Sequence, residues 1–268
     1  MSIDGRPEDQ GFSGIGFYCS YYRTVVISDV HIGAPHSKVK EAAEFLSSVD
    51  CDRLIMNGDI IDGWQLKNSS DKWTVVHSAF FYVIMKMMEK HSTEVIYVTG
   101  NHDDFLDPLV PSKMANITLV NEYIIKEKNH SYVVIHGHAF DSITARLTFL
   151  AKLGDVAYNL LLKFNNVWNR ARLKRGKEYY SLSKVIKHKV KQAVSAISGF
   201  ESDLDSFARA KGCDGIICGH IHTPEDKYLK SGVHYLNSGD WVESLTALTE
   251  DYDGNWSVVK FSDFINRK

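Results

Sequence analysis

Thr24-Val25-Val26-Ile27-Ser28-Asp29-Val30-His31 decides the fold: four residues that read as a buried strand run straight into a carboxylate and an imidazole. A continuous apolar run of this length suits a strand covered on both faces. Alternate residues of an extended segment point the same way, so Asp29 and His31 can grip one ion. The pattern then returns four times. Arg53–Met56 leads to Gly58-Asp59-Ile60-Ile61-Asp62, and Glu94–Val98 to Gly100-Asn101-His102-Asp103. Tyr132–Ile135 leads to His136-Gly137-His138, and Gly215–Cys218 to Gly219-His220-Ile221-His222.

Working outward, Val233–Leu236, Leu245–Leu248 and Trp256–Phe261 add further strand-like runs, separated by short turns that predict antiparallel or mixed pairing. Helical patterns over Ser37–Ser48 and Lys72–His91 alternate with the early strands. Strand–helix alternation predicts an α/β architecture with the sheet sandwiched by helices. Regular structure is expected from Arg23, so residues 1–20 read as a loose leader and 21–268 as the domain. Between His136 and His220 the rhythm breaks into helical patterns over Ala145–Leu162, Ser181–Ile197 and Glu201–Lys211. This interval, about 141–211, reads as a helical insertion hung on the α/β core.

Composition excludes several classes. With 268 residues, 44% of them apolar, the chain can bury a full core. A formal charge of −2 leaves no global nucleic-acid footprint, and no nucleic-acid partner is expected. Cys19, Cys51, Cys213 and Cys218 form no CxxC pair and fit a reducing compartment. The polar start Met1–Gln10 does not read as a secretory signal, and no apolar run approaches the ~20 residues that span a bilayer. The expected location is cytoplasmic.

Asp, Asn and His are residues that hold hard or borderline divalent cations. A lone Asp after a strand is ordinarily a turn former, and a lone His an ordinary surface or core residue. Five such motifs in this order are not explained by independent turns. Asp59 carries charge that offsets two cations, while Asn101, His136 and His220 can supply neutral ligands and His222 repeats the spacing of Asp29 and His31. Two cations ~3.5–4 Å apart can hold a bridging hydroxide and phosphoryl oxygens together and stabilise in-line displacement. His102 is a candidate to touch the phosphate or the leaving oxygen. Asp103 reads either as the carboxylate that orients His102 or as a loop cap. His138 reads as a second-layer group or a plain polar residue after the glycine.

Taken together, Asp-x-His, Gly-Asp-x-x-Asp, Gly-Asn-His-Asp, His-Gly-His and Gly-His-x-His resemble the calcineurin-like metallophosphoesterase superfamily, over Asp29 to Asp240. The resemblance implies a four-layer α/β-β/α sandwich and a dinuclear centre. One metal would take Asp29, His31, Asp59 and His222; the other would take Asp59, Asn101, His136 and His220, with Asp59 bridging. Gly58–Trp64, Gly100–Leu106 and Asn237–Glu243 make the chain most similar to the UDP-2,3-diacylglucosamine diphosphatase branch. That branch implies cleavage of an acylated UDP-sugar to UMP and the acylated sugar 1-phosphate in lipid A synthesis. Manganese is the ion it implies first, with iron or zinc as alternatives. Its best-known enzymes carry Arg where this chain has His102, a departure toward the wider superfamily.

From Lys163 to Lys191 the insertion concentrates positive charge, and Lys184, Lys187 and Lys191 share one helical face with His188. Mixed with Leu160, Leu161, Leu162, Phe164, Val167 and Trp168, it reads as an apolar lid with a basic rim. Such a lid suits a lipid-linked nucleotide diphosphate, bound by Asn101, His102, Lys184, Lys187 and Lys191, and peripheral contact with the inner membrane face. The plainer reading is a helical hairpin with a solvated outer face. Two further functions compete: hydrolysis of a soluble nucleotide or other phosphoester, and a metal-site scaffold without catalysis.

Overall fold

The computed structural model describes residues 20–68, 73–127, 130–140 and 199–265. The leader, the predicted helices Ala145–Leu162 and Ser181–Ile197, and Lys184, Lys187 and Lys191 lie outside the described residues.

Strands β1 (Ser20–Ile27), β2 (Val49–Asn57), β3 (Glu94–Val98), β4 (Ser112–Met114) and β5 (Ile117–Val120) build the first sheet with two later strands, β11 (Thr246–Glu250) and β12 (Trp256–Lys260). Its order is β12-β11-β1-β2-β3-β5-β4. The β1-β2-β3-β5 centre is parallel, and both edges are antiparallel. The second sheet runs β6-β7-β8-β10-β9, from β6 (Tyr123–Lys126), β7 (Ser131–Val134), β8 (Gly215–Cys218), β9 (Glu225–Tyr228) and β10 (His234–Asn237).

Alternation along the strands sorts the core into layers. Val25 and Ile27 of β1, with Leu54 and Met56 of β2, pack under helices α1 (Val39–Leu46) and α3 (Val75–His91). The helices meet them through Ala42, Phe45 and Leu46 and through Phe80, Ile84 and Met87, the 3–4 spacing of a buried stripe. Val26, Ile55 and Ile96 face the other way, against Val134, Ile217 and Leu236 of the second sheet. Helical residues 199–210 cover that sheet's outer face through Phe200, Leu204 and Ala208. The result is helices, sheet, sheet, helix, the expected α/β sandwich.

The structure corrects some boundaries. β1 begins at Ser20 rather than Arg23, because Ser20, Tyr21 and Tyr22 already pair with Val49, Asp50 and Cys51. Strands β4 (SKM) and β9 (EDKY) were invisible to an apolar-run criterion because they are polar edge strands. The short helix α2 (Gly63–Asn68) was likewise unannounced, and it stands beside the site.

Candidate metal centre

All five motifs sit at the carboxyl ends of strands, where ligands gather in α/β sheets. The loops after β1 and β2 prolong the parallel pairing. His31 N–H donates to the Asp59 carbonyl at 2.9 Å and Ile32 N–H to the Ile60 carbonyl at 2.9 Å. Asp29 is fixed from both sides, its N–H on the Gly58 carbonyl (3.0 Å) and its carbonyl receiving Trp241 N–H (3.0 Å).

Five of the seven expected ligands adopt left-handed backbone: Asp29 (φ 53), His31 (φ 51), Asp59 (φ 52), His220 (φ 66) and His222 (φ 53). Side chains other than glycine rarely adopt this region, and such strain persists where the surroundings over-determine it. Two motif glycines are required for contact rather than turning alone. A Cβ on Gly100 would lie 2.2 Å from Asp59 Oδ1, and one on Gly58 (φ +80) would lie 2.4 Å from His136 Nδ1.

Backbone donors orient both central carboxylates. His220 N–H donates to Asp29 Oδ2 (2.9 Å) and His102 N–H to Asp59 Oδ1 (2.8 Å). The remaining oxygens face the histidines. Asp29 Oδ1 lies 3.2 Å from His222 Nε2 and 3.9 Å from His31 Nε2. Asp59 Oδ2 lies 3.3 Å from His136 Nε2, 3.8 Å from His31 Nε2 and 4.0 Å from His102 Nε2. Ligand atoms converge as Asp29–His31–His222, His31–Asp59–His102 and Asp59–His136–His220.

Chemically this is a donor set in want of a cation. Buried Asp29 Oδ1, His31 Nε2, Asn101 Oδ1 and His136 Nε2 make no hydrogen bond of normal geometry among the described residues. Buried polar atoms are ordinarily satisfied, so four converging exceptions fit ions rather than packing. Electrostatics agree. Burial alone would raise the Asp29 and Asp59 carboxyls, yet His136 beside both, with His222 and His31, holds them below the ordinary range. Burial would likewise lower His136, but Asp59 and Asp29 push it up to about 9. His31, facing Asp62, and His222, facing Asp29, are raised against burial too. The pocket draws positive charge inward.

His102 and Asp103 part company. Asp103 does not orient His102: its buried carboxylate accepts from Ile60 N–H (3.2 Å), Ile61 N–H (2.9 Å) and the Tyr97 hydroxyl (2.9 Å). Burial and the nearby Asp59 charge push its pKa up to about 6. It clamps the loop that carries Asp59, which is the loop-cap alternative. The carboxylate beside His102 is Asp62, with Oδ1 3.2 Å from His102 Nδ1 and Oδ2 3.6 Å from His31 Nδ1. Against burial, His31 holds Asp62 down to about 2.

Sequence reasoning left Asp62 without a role although it closes Gly-Asp-x-x-Asp. It also missed Asn57, whose carbonyl meets His136 Nδ1 at 2.9 Å. Asp240, 4.0 Å from His222 Nδ1, was quoted only as part of a motif. Each of these stands behind a histidine, where outer groups fix ring orientation and tautomer. The His138 ring sits 5.7 Å from His136 and 6.5 Å from His220, beside the second cluster.

Comparison with known proteins fits this geometry. Residues 22–224 match the family model described as calcineurin-like phosphoesterase. A UDP-2,3-diacylglucosamine hydrolase from Shewanella pealeana is 24% identical over 249 residues, 87% of this chain and 95% of the relative. One from Xanthomonas axonopodis pv. citri is 24% identical over 246 residues, 86% of this chain and 96% of the relative. A solved archaeal phosphodiesterase aligns over 88% of this chain and 98% of its own, at 13% identity and a TM-score of 0.42. The family match takes in all five motifs, and on it the chain belongs to the calcineurin-like phosphoesterases, as a hydrolase of the metal-using kind.

Proposed function

We propose that this enzyme hydrolyses the diphosphate of an acylated UDP-sugar, UDP-2,3-diacylglucosamine, to UMP and the acylated sugar 1-phosphate. The observation that carries the chemistry is Asp59, whose Oδ2 stands between histidines of two ligand clusters. The substrate rests on the curated relatives, which bear that activity in their names and are matched over 95% and 96% of their length.

In this reading Asp29, His31, Asp59 and His222 hold one divalent cation and Asp59, Asn101, His136 and His220 the other, manganese first, with iron or zinc as alternatives. When bound, such a pair supplies Lewis acidity toward phosphoryl oxygens and lowers the pKa of water. The side chains do the rest. Asp62 stands 3.2 Å from His102 Nδ1, which leaves Nε2 to donate a proton to the phosphate oxygen that leaves. Asn101 adds a contact to the same group. Asp103 keeps the Asp59 loop rigid by capping two of its N–H groups, preserving the geometry on which positioning depends. Water thus adds across one P–O bond: its oxygen joins one phosphorus and a proton ends on the other phosphate.

The reading extends to the cytoplasm as location and to the inner membrane face as contact surface, through the insertion bearing Lys184, Lys187 and Lys191. Among the described residues no helix is long and apolar enough to cross a membrane. Co-sedimentation with anionic vesicles, lost when these lysines become glutamates, tests that extension; unchanged sedimentation would sink it.

A second reading, hydrolysis of a soluble nucleotide, is favoured by His102 standing where the best-known enzymes of the branch carry Arg. Purified protein with manganese, given the acylated UDP-sugar and a panel of soluble nucleotide diphosphates side by side, separates the two. UMP release from the lipid substrate alone supports the first reading. Turnover confined to soluble substrates supports the second.

A further inference from the structure

Trp64 is a large aromatic that the fold leaves 45% exposed at the rim of the site, so core packing does not explain it. It is the second residue of α2, which Gly63 opens directly after Asp62. Its ring lies 4.2 Å from the His102 ring, centroid to centroid, with the planes inclined by 34°. The indole is itself anchored, because Nε1–H donates to Asp104 Oδ2 at 3.4 Å. The supporting backbones are tied as well: Gly63 N–H donates to the His102 carbonyl at 3.1 Å. A Cβ on Gly63 would come within 2.6 Å of Phe105 Cδ1, so the close approach of α2 to the His102 loop needs glycine.

The His102 ring is therefore held from three directions: by Trp64 on a face, by Asp62 at Nδ1 (3.2 Å), and by His31 edge-on at 4.7 Å and 89°. Only Nε2 faces the Asp59 oxygen, at 4.0 Å. Imidazole χ2 sits in a broad well, so one carboxylate contact leaves the ring free to swing about that contact. A flat aromatic wall removes the swing, and offset aromatic stacking favours the observed arrangement.

We infer that Trp64 is a positioning residue, which fixes the imidazole of His102 so that Nε2 faces the phosphoryl group being cleaved. The inference rests on the proposed role of His102.

A double-mutant cycle with an aryl phosphodiester and manganese tests it. Trp64→Ala should lower kcat about 10- to 100-fold, the scale of misplacing a reacting group, with KM and bound metal unchanged. Trp64→Phe should restore most of the rate, and in a His102→Ala background Trp64→Ala should change nothing further. An equal loss in that background, or a loss expressed in KM, would overturn the inference. A second measurement does not need turnover. The His102 ring-proton resonance, assigned by its absence in His102→Ala, should carry a ring-current shift that Trp64→Ala removes and Asp104→Ala reduces. If the wild-type protein cleaves no phosphoester, the functional reading fails and the resonance alone decides: a line unmoved by Trp64→Ala overturns the positioning role.

Discussion

Two polar clusters with buried cores lie a few residues apart on the same strands, and they differ in how their groups are paired. At the inter-sheet seam, Glu250 accepts from the Thr24 hydroxyl (2.6 Å) and meets His130 Nε2 at 3.3 Å. Nearby, the Tyr132 hydroxyl meets His234 Nδ1 at 2.8 Å, and His234 Nε2 meets Asp226 Oδ1 at 2.8 Å. These groups answer one another. At the carboxyl rim, Asp29, His31, Asn101 and His136 each aim an atom at a common space with no normal hydrogen bond to spend it on. Both clusters combine carboxylate and imidazole. At the seam the carboxylates and imidazoles answer one another, although Arg53 Nε and Trp256 Nε1 do not find partners among the described residues. What marks the rim is that its unanswered atoms are carboxylate, amide and imidazole donors that converge, as a ligand site requires.

The contrast breaks hardest at Asp59. Asp59→Ala should abolish turnover and reduce bound metal, measured by elemental analysis, since one carboxylate serves both clusters. Retention of two equivalents of metal would remove it from the bridge. A chelator should likewise abolish wild-type activity and lower Tm, and manganese should restore both, because a ligand bound only by the folded state stabilises it. In Asp59→Ala that manganese-dependent rise in Tm should shrink. His102→Ala comes next: turnover should fall ~10²–10⁴-fold with metal content near normal. Loss of metal in that variant would make His102 a ligand, a role its place in the His31–Asp59–His102 cluster permits.

Much of this was legible in the chain, for physical reasons. Doubly covered parallel strands are apolar throughout, so the strands carrying the motifs announced themselves, Glu94–Val98 and Gly215–Cys218 to the residue. The candidate ligand residues stood out because strand ends with Asp, Asn and His repeat one chemistry. Polar edges such as Glu225–Tyr228 carry no such signal. Partnership was harder to read than identity. Asp103 follows His102 in sequence, but the turn after Asn101 sends its carboxylate back onto Ile60 and Ile61, and a residue forty positions earlier, Asp62, reaches the imidazole instead. Left-handed backbone at five candidate ligands was equally hidden, because even Asp and His, which enter that region more readily than most residues, do so only at single positions that the surrounding fold selects.

Glu250→Ala probes the satisfied side of the comparison, where the expected effect on activity is smallest. Glu250 closes β11 opposite Thr24 of β1, and both are fully buried. Removing its carboxylate strands the buried Thr24 hydroxyl, while the part-exposed His130 ring can turn to water, and an unsatisfied buried group costs about 1–3 kcal/mol. Arg53 Nη1 also donates to the Thr24 hydroxyl (3.3 Å), which keeps one contact in place and favours the lower part of that range. Denaturant unfolding should therefore shift the midpoint to lower concentration, while kcat and metal content at saturating manganese stay at wild-type values. The strands running from this seam to Asp29 remain paired along Val25, Val26 and Ile27 with Leu54, Ile55 and Met56, so the rim should keep its geometry. A variant of normal stability with impaired turnover would reverse the assignment and make the seam part of the working site.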